Sequence, residues 1–334
     1  IEESEKANGI NTLIDKYLAT LSSIVRERVL ISSISHFHSG RMAKAKEIEE
    51  FFTELFITLE FDFVCFVDDK SFVKKHKFVE PNLIKYTKKS AQRYFSAPSL
   101  GFRANGSPLY TYLYCGAWLR TFLNLLRIGN YTCPGQVDFG NTDKEILAPT
   151  SPVFLGEHSM GCYCWDEDKM EPWRKIPDGC LFLSFGYRGL SKMWLDSRTF
   201  SSLRNFFINH KIILSSQKNP WDRQNINDIL PTIDILSTAT QIPDLGAKIL
   251  LIYCCLEHLF VPKGSKSENK KYIVGGIHAL QPKLLSWFDE LYQTRNKYAH
   301  KGFVLKSEKL RGFVGTSMEN VLKLLILKLN LSNI

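Results

Sequence analysis

The sequence lacks the signatures of several large protein classes. Its longest apolar stretch, Ile249 to Leu256, is far shorter than the roughly 18 residues of a transmembrane helix, and we expect no signal peptide. It contains no Gly-Lys-Ser/Thr phosphate-binding loop, no assignable Ser-His-Asp arrangement and no internal repeat. The start at Ile1, without Met, is typical of a processed or excised fragment. With 334 residues, 44% of them apolar, the composition indicates a folded protein of about two domains.

Cysteine is also sparse for a disulfide scaffold. The chain has eight cysteines, and two of them, Cys254 and Cys255, are adjacent in an apolar helical pattern where cysteine acts as a small hydrophobe. This usage favours a reducing, cytoplasmic location.

Metal binding is not favoured by the His and Cys residues. The candidate ligands are Cys133, His158, Cys162, Cys164 and Cys180. The closest pair, Cys162 and Cys164, is one residue tighter than the usual zinc spacing. We therefore expect no metal and no cofactor.

Positive charge is concentrated in two separate segments. The net charge is +9, from 43 basic and 34 acidic residues. Residues 241–334 hold 14 basic and 7 acidic residues, and Lys70 to Arg93 holds 8 basic residues with Glu80 as its only acid. Such segments attract polyanions, above all nucleic acid, although a solvated surface has the same composition.

The segment from Lys70 to Arg93 also alternates aromatic residues with its lysines. Aromatic stacking combined with lysine contacts to phosphate is a common way to bind single strands. Its candidate RNA-binding residues are Lys74, Lys75 and Lys77. A solvated surface is the alternative interpretation.

The pattern along the chain predicts an α+β fold, with a mixed N-terminal domain followed by an all-α antiparallel helical bundle. The first sixty residues have a helical pattern, and strands are predicted at Phe61 to Val67, Gly179 to Tyr187 and Lys211 to Ser215. We predict an N-terminal domain over residues 1–210, acting as a sensor or binding RNA or a partner. The helical domain then covers residues 211–334.

Four apolar-striped helices are predicted in the C-terminal segment. Asp244 caps a helix that ends near Pro262, and Ser267 begins a second helix that Gly275 and Gly276 weaken. Pro282 suits the first turn of a third helix, and Ser307 begins the last one. Short connections between such helices indicate an antiparallel bundle.

The densest polar cluster ends the third of these helices, from Arg295 to His300. A histidine acts as an acid or base at neutral pH, and a guanidinium binds phosphate and offsets developing negative charge. Cleavage of RNA by attack of its 2′-hydroxyl on the adjacent phosphate needs these groups. Asn296 is placed to orient either the histidine or the guanidinium. The alternative interpretation of this cluster is structural, because basic residues in the last turn of a helix interact favourably with its free carbonyl groups.

The ordered motifs of this segment resemble the HEPN family, specifically its Apea-like branch. Leu256-Glu257-His258-Leu259-Phe260 is similar to the family's LExLF helix. Leu291-Tyr292 followed by Arg295-Asn296-Lys297-Tyr298-Ala299-His300 is similar to its LY-x-x-RN-x-x-AH-x-G signature. Lys301 then separates His300 from Gly302. The resemblance covers about a third of the chain.

The resemblance implies a metal-independent endoribonuclease whose site forms between two HEPN domains. Arg295 is then the phosphate-binding residue and His300 the acid or base, with Asn296 in support. Independently of the resemblance, the apolar helical neighbours of Glu257 predict a buried carboxylate that pairs with Arg295 and positions it, and the alternative is a side chain whose end reaches solvent. The basic residues Lys297 and Lys301 are further candidate RNA-binding residues. The resemblance further implies a homodimer or a HEPN-bearing partner, and a role as a toxin or an effector of prokaryotic anti-phage defence under a regulatory protein or phage trigger. We expect RNA as substrate, with tRNA as one candidate. The alternative is a non-catalytic HEPN module for binding or dimerisation in a larger defence assembly.

Overall fold

The computed structural model describes residues 26–33, 37–38, 45–61, 63–67, 99–106, 108–132, 163–165, 170–172, 193–194, 197–218, 229–265, 269–301 and 308–332. The strands in these ranges are β1 (Arg26–Ser33), β2 (Phe37–His38), β3 (Val64–Val67), β4 (Ser99–Gly106), β5 (Tyr163–Trp165), β6 (Met170–Pro172) and β7 (Met193–Trp194). The α-helices are α1 (Ala45–Thr58), α2 (Pro108–Thr132), α3 (Phe200–Asn209), α4 (Lys211–Ser215), α5 (Leu230–Gln241), α6 (Leu245–Phe260), α7 (Asn269–Leu280), α8 (Leu285–Lys301) and α9 (Glu308–Ser332). Short 3-10 turns cover Ser197–Thr199, Ser216–Lys218 and Pro282–Leu284.

The fold divides into two compact units, and the first contains a small antiparallel sheet. In this sheet β4 lies between β1 and β3, with Arg26 opposite Gly106 and Val64 opposite Phe102. The C-terminal part of α1 buries one apolar stripe, as its sequence pattern predicts. The stripe and the buried residues that follow it are Phe52, Leu55, Phe56, Leu59, Phe61 and Val64.

The second unit contains most of α2 and all helices from α3 to α9. Its central helix is α6, which packs against α5, α7, α8 and α9. Because it has neighbours on most sides, α6 is apolar around most of its circumference. Ile249, Ile252 and Leu256 are among its fully buried residues. No described helix is both long and apolar enough to cross a membrane.

The ends of α6 confirm the helix signals in the sequence. The Asp244 carboxylate accepts a hydrogen bond from the Ala247 amide at 2.7 Å, as an N-cap residue does. The helix ends at Phe260, two residues before Pro262. Gly264 then has a φ of +86°, a conformation that costs glycine little because it has no side chain.

The predicted α+β class is wrong, because most of the described residues are helical and the fold is mainly all-α. Residues 211–215 form α4 rather than a strand, since a short apolar run does not distinguish the two structures. The opposite error occurred near the N-terminus, where residues 26–33 form β1 within a predicted helical stretch. The strand predicted over residues 179–187 lies outside the described residues.

The two glycines expected to weaken α7 lie within a continuous helix. A side chain at Gly276 would overlap the ring of Phe260 on α6. At this position glycine therefore permits close packing of two helices.

A partly buried polar network joins α2 to α5 within the second unit. Arg120 makes a two-pronged ion pair with Asp234, in which Nε lies 2.9 Å from Oδ1, and Asn124 donates to the same Oδ1 at 2.7 Å. Burial raises the pKa of the Asp234 carboxyl, although the Arg120 guanidinium opposes the shift. The contact joins residues 114 positions apart in the chain. The domain boundary at residues 210/211 remains a prediction.

Candidate functional site

Arg295 lies on α8 with its guanidinium over an aromatic ring of α6. Its central carbon is 5.0 Å from the ring centroid of Tyr253, a residue that is only 4% exposed. Nη1 donates to Oδ1 of Asn296 at 2.9 Å, and Nε is buried. Neither Nε nor Nη2 has a hydrogen-bond partner within the described part of the chain. The cation–π contact and the Asn296 bond orient the guanidinium and leave donors for a ligand.

The spacing of residues on α8 explains why Arg295 faces α6. Phe288, Tyr292 and Arg295 follow one another at intervals of four and three residues, which places them on one side of the helix. Their common neighbour is Tyr253, whose ring centroid lies 6.3 Å from that of Phe288 and 6.0 Å from that of Tyr292. Such aromatic packing fixes the helix rotation, and with it the position of Arg295.

His300 lies near the end of α8 and is exposed. Because α8 continues as a helix to Lys301, the five-residue spacing separates His300 from Arg295 by about 140° around the axis. Asn296 and His300, four residues apart, share a face of the helix. The structure therefore brings Arg295 and Asn296 together, whereas His300 of the same chain extends towards solvent.

Glu257, the second supporting residue, has a different partner from the one that sequence reasoning considered. Its Oε1 accepts a hydrogen bond from Nδ2 of Asn269 on α7 at 2.9 Å. No ion pair joins it to Arg295 among the described residues. The charges of Glu257 and Arg295 nevertheless act on the same two neighbours, Tyr253 and Cys254. Burial raises the pKa of both neighbours, the Glu257 carboxylate raises it further, and the Arg295 guanidinium lowers it.

Only some of the predicted RNA-binding lysines lie among the described residues. Lys297 is exposed on α8, and Lys301 is the last residue of that helix. Lys74, Lys75 and Lys77 lie outside the described residues. Their contacts with RNA remain predictions.

The end of α8 that carries these residues packs against the beginning of α6. The ring of Tyr298 lies directly on Gly246, where any added side chain would overlap it. A hydrogen bond to Asp244 raises the pKa of the Tyr298 hydroxyl, with smaller effects of burial and charge. Asp244, which caps α6, therefore also interacts with α8.

No protein-family model, curated protein sequence or solved structure matches this chain. The likeness to HEPN proteins therefore depends on the motif residues themselves, and what it implies about activity is a hypothesis.

Two groups near the predicted site escaped the sequence analysis. Asn269 and Lys270, in the first turn of α7, contact Glu257 and the ring of Tyr292 respectively. Their one sequence signal was the basic character of the C-terminal segment, which does not single out any lysine.

Among the described residues, no group of three His, Cys, Asp or Glu side chains is placed to bind a metal. Of the Cys and His residues considered as metal ligands in the sequence analysis (Cys133, His158, Cys162, Cys164 and Cys180), all but Cys164 lie outside those residues.

A third unanticipated residue is Lys248, a buried cation on α6. Its Nζ donates to the Thr240 carbonyl at 3.0 Å and lies 4.3 Å from the ring centroid of Tyr131. Burial lowers the pKa of Lys248 to about 8 and raises that of Tyr131 to about 12. Lys248 is only 4% exposed, so this environment affects stability more directly than it affects substrates.

Replacing Lys248 with Met should stabilise the protein at pH 7, by up to about 3 kcal/mol. At that pH the lysine is protonated in both states, and the folded state carries the cost of a buried charge. Between pH 8 and pH 10.5 the unfolded chain binds more protons than the folded one, so the wild type gains stability as pH rises and the advantage of K248M shrinks. Denaturant unfolding at pH 7 and pH 9.5 measures this change. The exposed Lys323 provides the control K323M, and a K248M advantage that does not vary with pH would contradict the explanation.

Proposed function

We propose that the protein is a metal-independent endoribonuclease of HEPN type. The observation that carries the proposal is the geometry of Arg295, whose guanidinium is oriented by Tyr253 and Asn296 and retains unpartnered donors. A preoriented guanidinium suits a phosphate whose negative charge increases in the transition state. The basic C-terminal segment supports the same substrate, because RNA is a polyanion.

In the proposed reaction, a base removes the proton of an RNA 2′-hydroxyl, and the resulting oxygen attacks the adjacent phosphorus. The bond from phosphorus to the 5′-oxygen breaks, and an acid protonates the departing oxygen. The products are a 2′,3′-cyclic phosphate and a 5′-hydroxyl. Arg295 binds the phosphate, and His300 is the acid or the base. The substrate we propose is single-stranded or loop RNA, and tRNA is one candidate because its loops expose unstacked bases.

A homodimer, or a pair with another HEPN protein, follows from the chemistry. The reaction uses both an acid and a base, whereas each chain offers one histidine in the motif. Two-fold packing around the ends of two α8 helices would supply a second His300. It would also place an imidazole from one chain near the guanidinium of the other, which a single α8 does not do.

We further propose a cytoplasmic role as a toxin or an anti-phage effector controlled by a regulatory protein or a phage trigger. A second candidate function is a non-catalytic HEPN module that binds partners or dimerises within a larger defence assembly. The separation of Arg295 and His300 by about 140° on a regular helix favours this second candidate. Cleavage and its products distinguish the two.

Incubation of the purified protein with total RNA in EDTA tests the proposal. We expect cleavage products that end in 2′,3′-cyclic phosphates and 5′-hydroxyls, detected by their resistance to direct 3′ ligation and their labelling with polynucleotide kinase. Mapping of the ends also identifies the substrate. Products with 5′-phosphates would exclude the proposed chemistry. Absence of cleavage with every RNA and trigger tried would favour the non-catalytic module.

A further inference from the structure

The aromatic residues that orient Arg295 also contact a second cation. Tyr253 and Tyr292 lie with ring centroids 6.0 Å apart, and Arg295 lies over the first of them. The Nζ atom of Lys270, on α7, lies 4.4 Å from the ring centroid of Tyr292. Two cations from different helices, Arg295 and Lys270, therefore each lie over one ring of the neighbouring pair Tyr253 and Tyr292.

The first turn of α7, which carries Lys270, contacts both neighbouring helices of the site. The preceding residue, Asn269, donates its hydrogen bond to Glu257 of α6. Lys270 itself makes a loose ion pair with Asp289 of α8, at 3.7 Å between Nζ and Oδ1. The first turn of α7 is therefore held against both helices that build the Arg295 site.

We propose that Lys270 is a second phosphate-binding residue of the site and contacts a phosphate of the RNA strand next to the one held by Arg295. This inference rests on the proposed function, since it assigns a residue to the same substrate. A lysine suits the role because its ammonium is a compact charge on a flexible stem, whereas Arg295 provides the directional contact at the scissile phosphate. The cation–π contact restricts the lysine without neutralising it.

The acidic groups near Lys270 do not prevent this role. Glu257 is already bonded to Asn269, and Asp289 is the direct competitor for the ammonium. The side chains of Lys270 and Asp289 are 46% and 61% exposed, and ion pairs in such surroundings contribute only about 0–1 kcal/mol. An RNA phosphate can therefore displace the Asp289 carboxylate.

The test measures binding rather than cleavage. The probe is a fully 2′-O-methylated single-stranded RNA oligonucleotide, which lacks the attacking hydroxyl, and its fluorescence anisotropy is followed at several salt concentrations. We expect K270Q to weaken binding severalfold and to reduce the salt slope by about 0.7. We expect D289N to strengthen binding, because it removes the competitor. The matched control K323Q replaces an exposed lysine of α9 and should bind like the wild type.

Including R295A in the same titrations separates the two proposals. If R295A weakens binding while K270Q behaves like K323Q, the assignment of Lys270 is wrong and the proposed function stands. If the wild type does not bind RNA, or if R295A and K270Q both bind like K323Q, the proposed function fails and the assignment of Lys270 fails with it. Circular dichroism of each variant confirms that it remains folded.

Discussion

Replacement of either Arg295 or His300 by alanine should lower the rate of RNA cleavage at least about 100-fold. For R295A, the loss comes from removing the group that binds the phosphate and offsets its developing charge. For H300A, it comes from removing the proton donor or acceptor. Because His300 is exposed, H300A should change the free energy of unfolding by no more than about 0.5 kcal/mol, so its loss of cleavage cannot be attributed to unfolding.

Single-turnover rates with a mapped RNA substrate measure these effects, and K323A serves as the control. R295K is an informative companion, because it keeps the charge but loses the planar donors. We expect R295K to recover RNA binding better than cleavage. Variants R295A and H300A that cleave as fast as the wild type would remove the basis of the nuclease proposal.

Replacement of Asp234 by alanine should destabilise the protein by about 2 kcal/mol, because it removes the acceptor from hydrogen bonds in a largely shielded position. The change removes the carboxylate that binds both Arg120 and Asn124, and the Arg120 side chain is only 21% exposed. Urea unfolding, followed by circular dichroism, measures the loss.

The control for this prediction is D289A, which removes an exposed ion pair and should change stability by less than about 1 kcal/mol. A double variant, R120M/D234L, replaces the buried pair with apolar side chains and should recover much of the stability that D234A loses. If D234A unfolds at the same urea concentration as D289A, the network contributes little to the fold.

The parts of the fold that the sequence predicted best are those set by neighbouring residues. The Asp244 cap, the end of α6 before Pro262 and the helix that carries Arg295 depend on interactions within a few positions. The error at residues 211–215 has the same origin, because an apolar run of five residues is compatible with helix and strand. The mainly helical class is decided by packing over longer distances.

Long-range contacts also explain which parts of the candidate site were missed. Sequence reasoning placed Arg295 and Asn296 together because they are adjacent, but it did not place Tyr253 beneath Arg295 or Lys270 over Tyr292. The contact between Arg120 and Asp234 was equally hidden. A fragment that begins at residue 211 would retain Asp234 without Arg120, so it would lose a polar network that belongs to the helical unit.

The contact between Gly246 and Tyr298 has a consequence for the variation that this protein tolerates. A larger residue at position 246 is accommodated only if position 298 loses its ring, so the two positions should change together over evolutionary time. Tyr298 lies between Arg295 and His300 in the sequence. A shift of α8 at position 298 would therefore move both Arg295 and His300. Compensated pairs, such as alanine at 246 with a smaller residue at 298, would identify distant relatives in which the two helices keep the same relation.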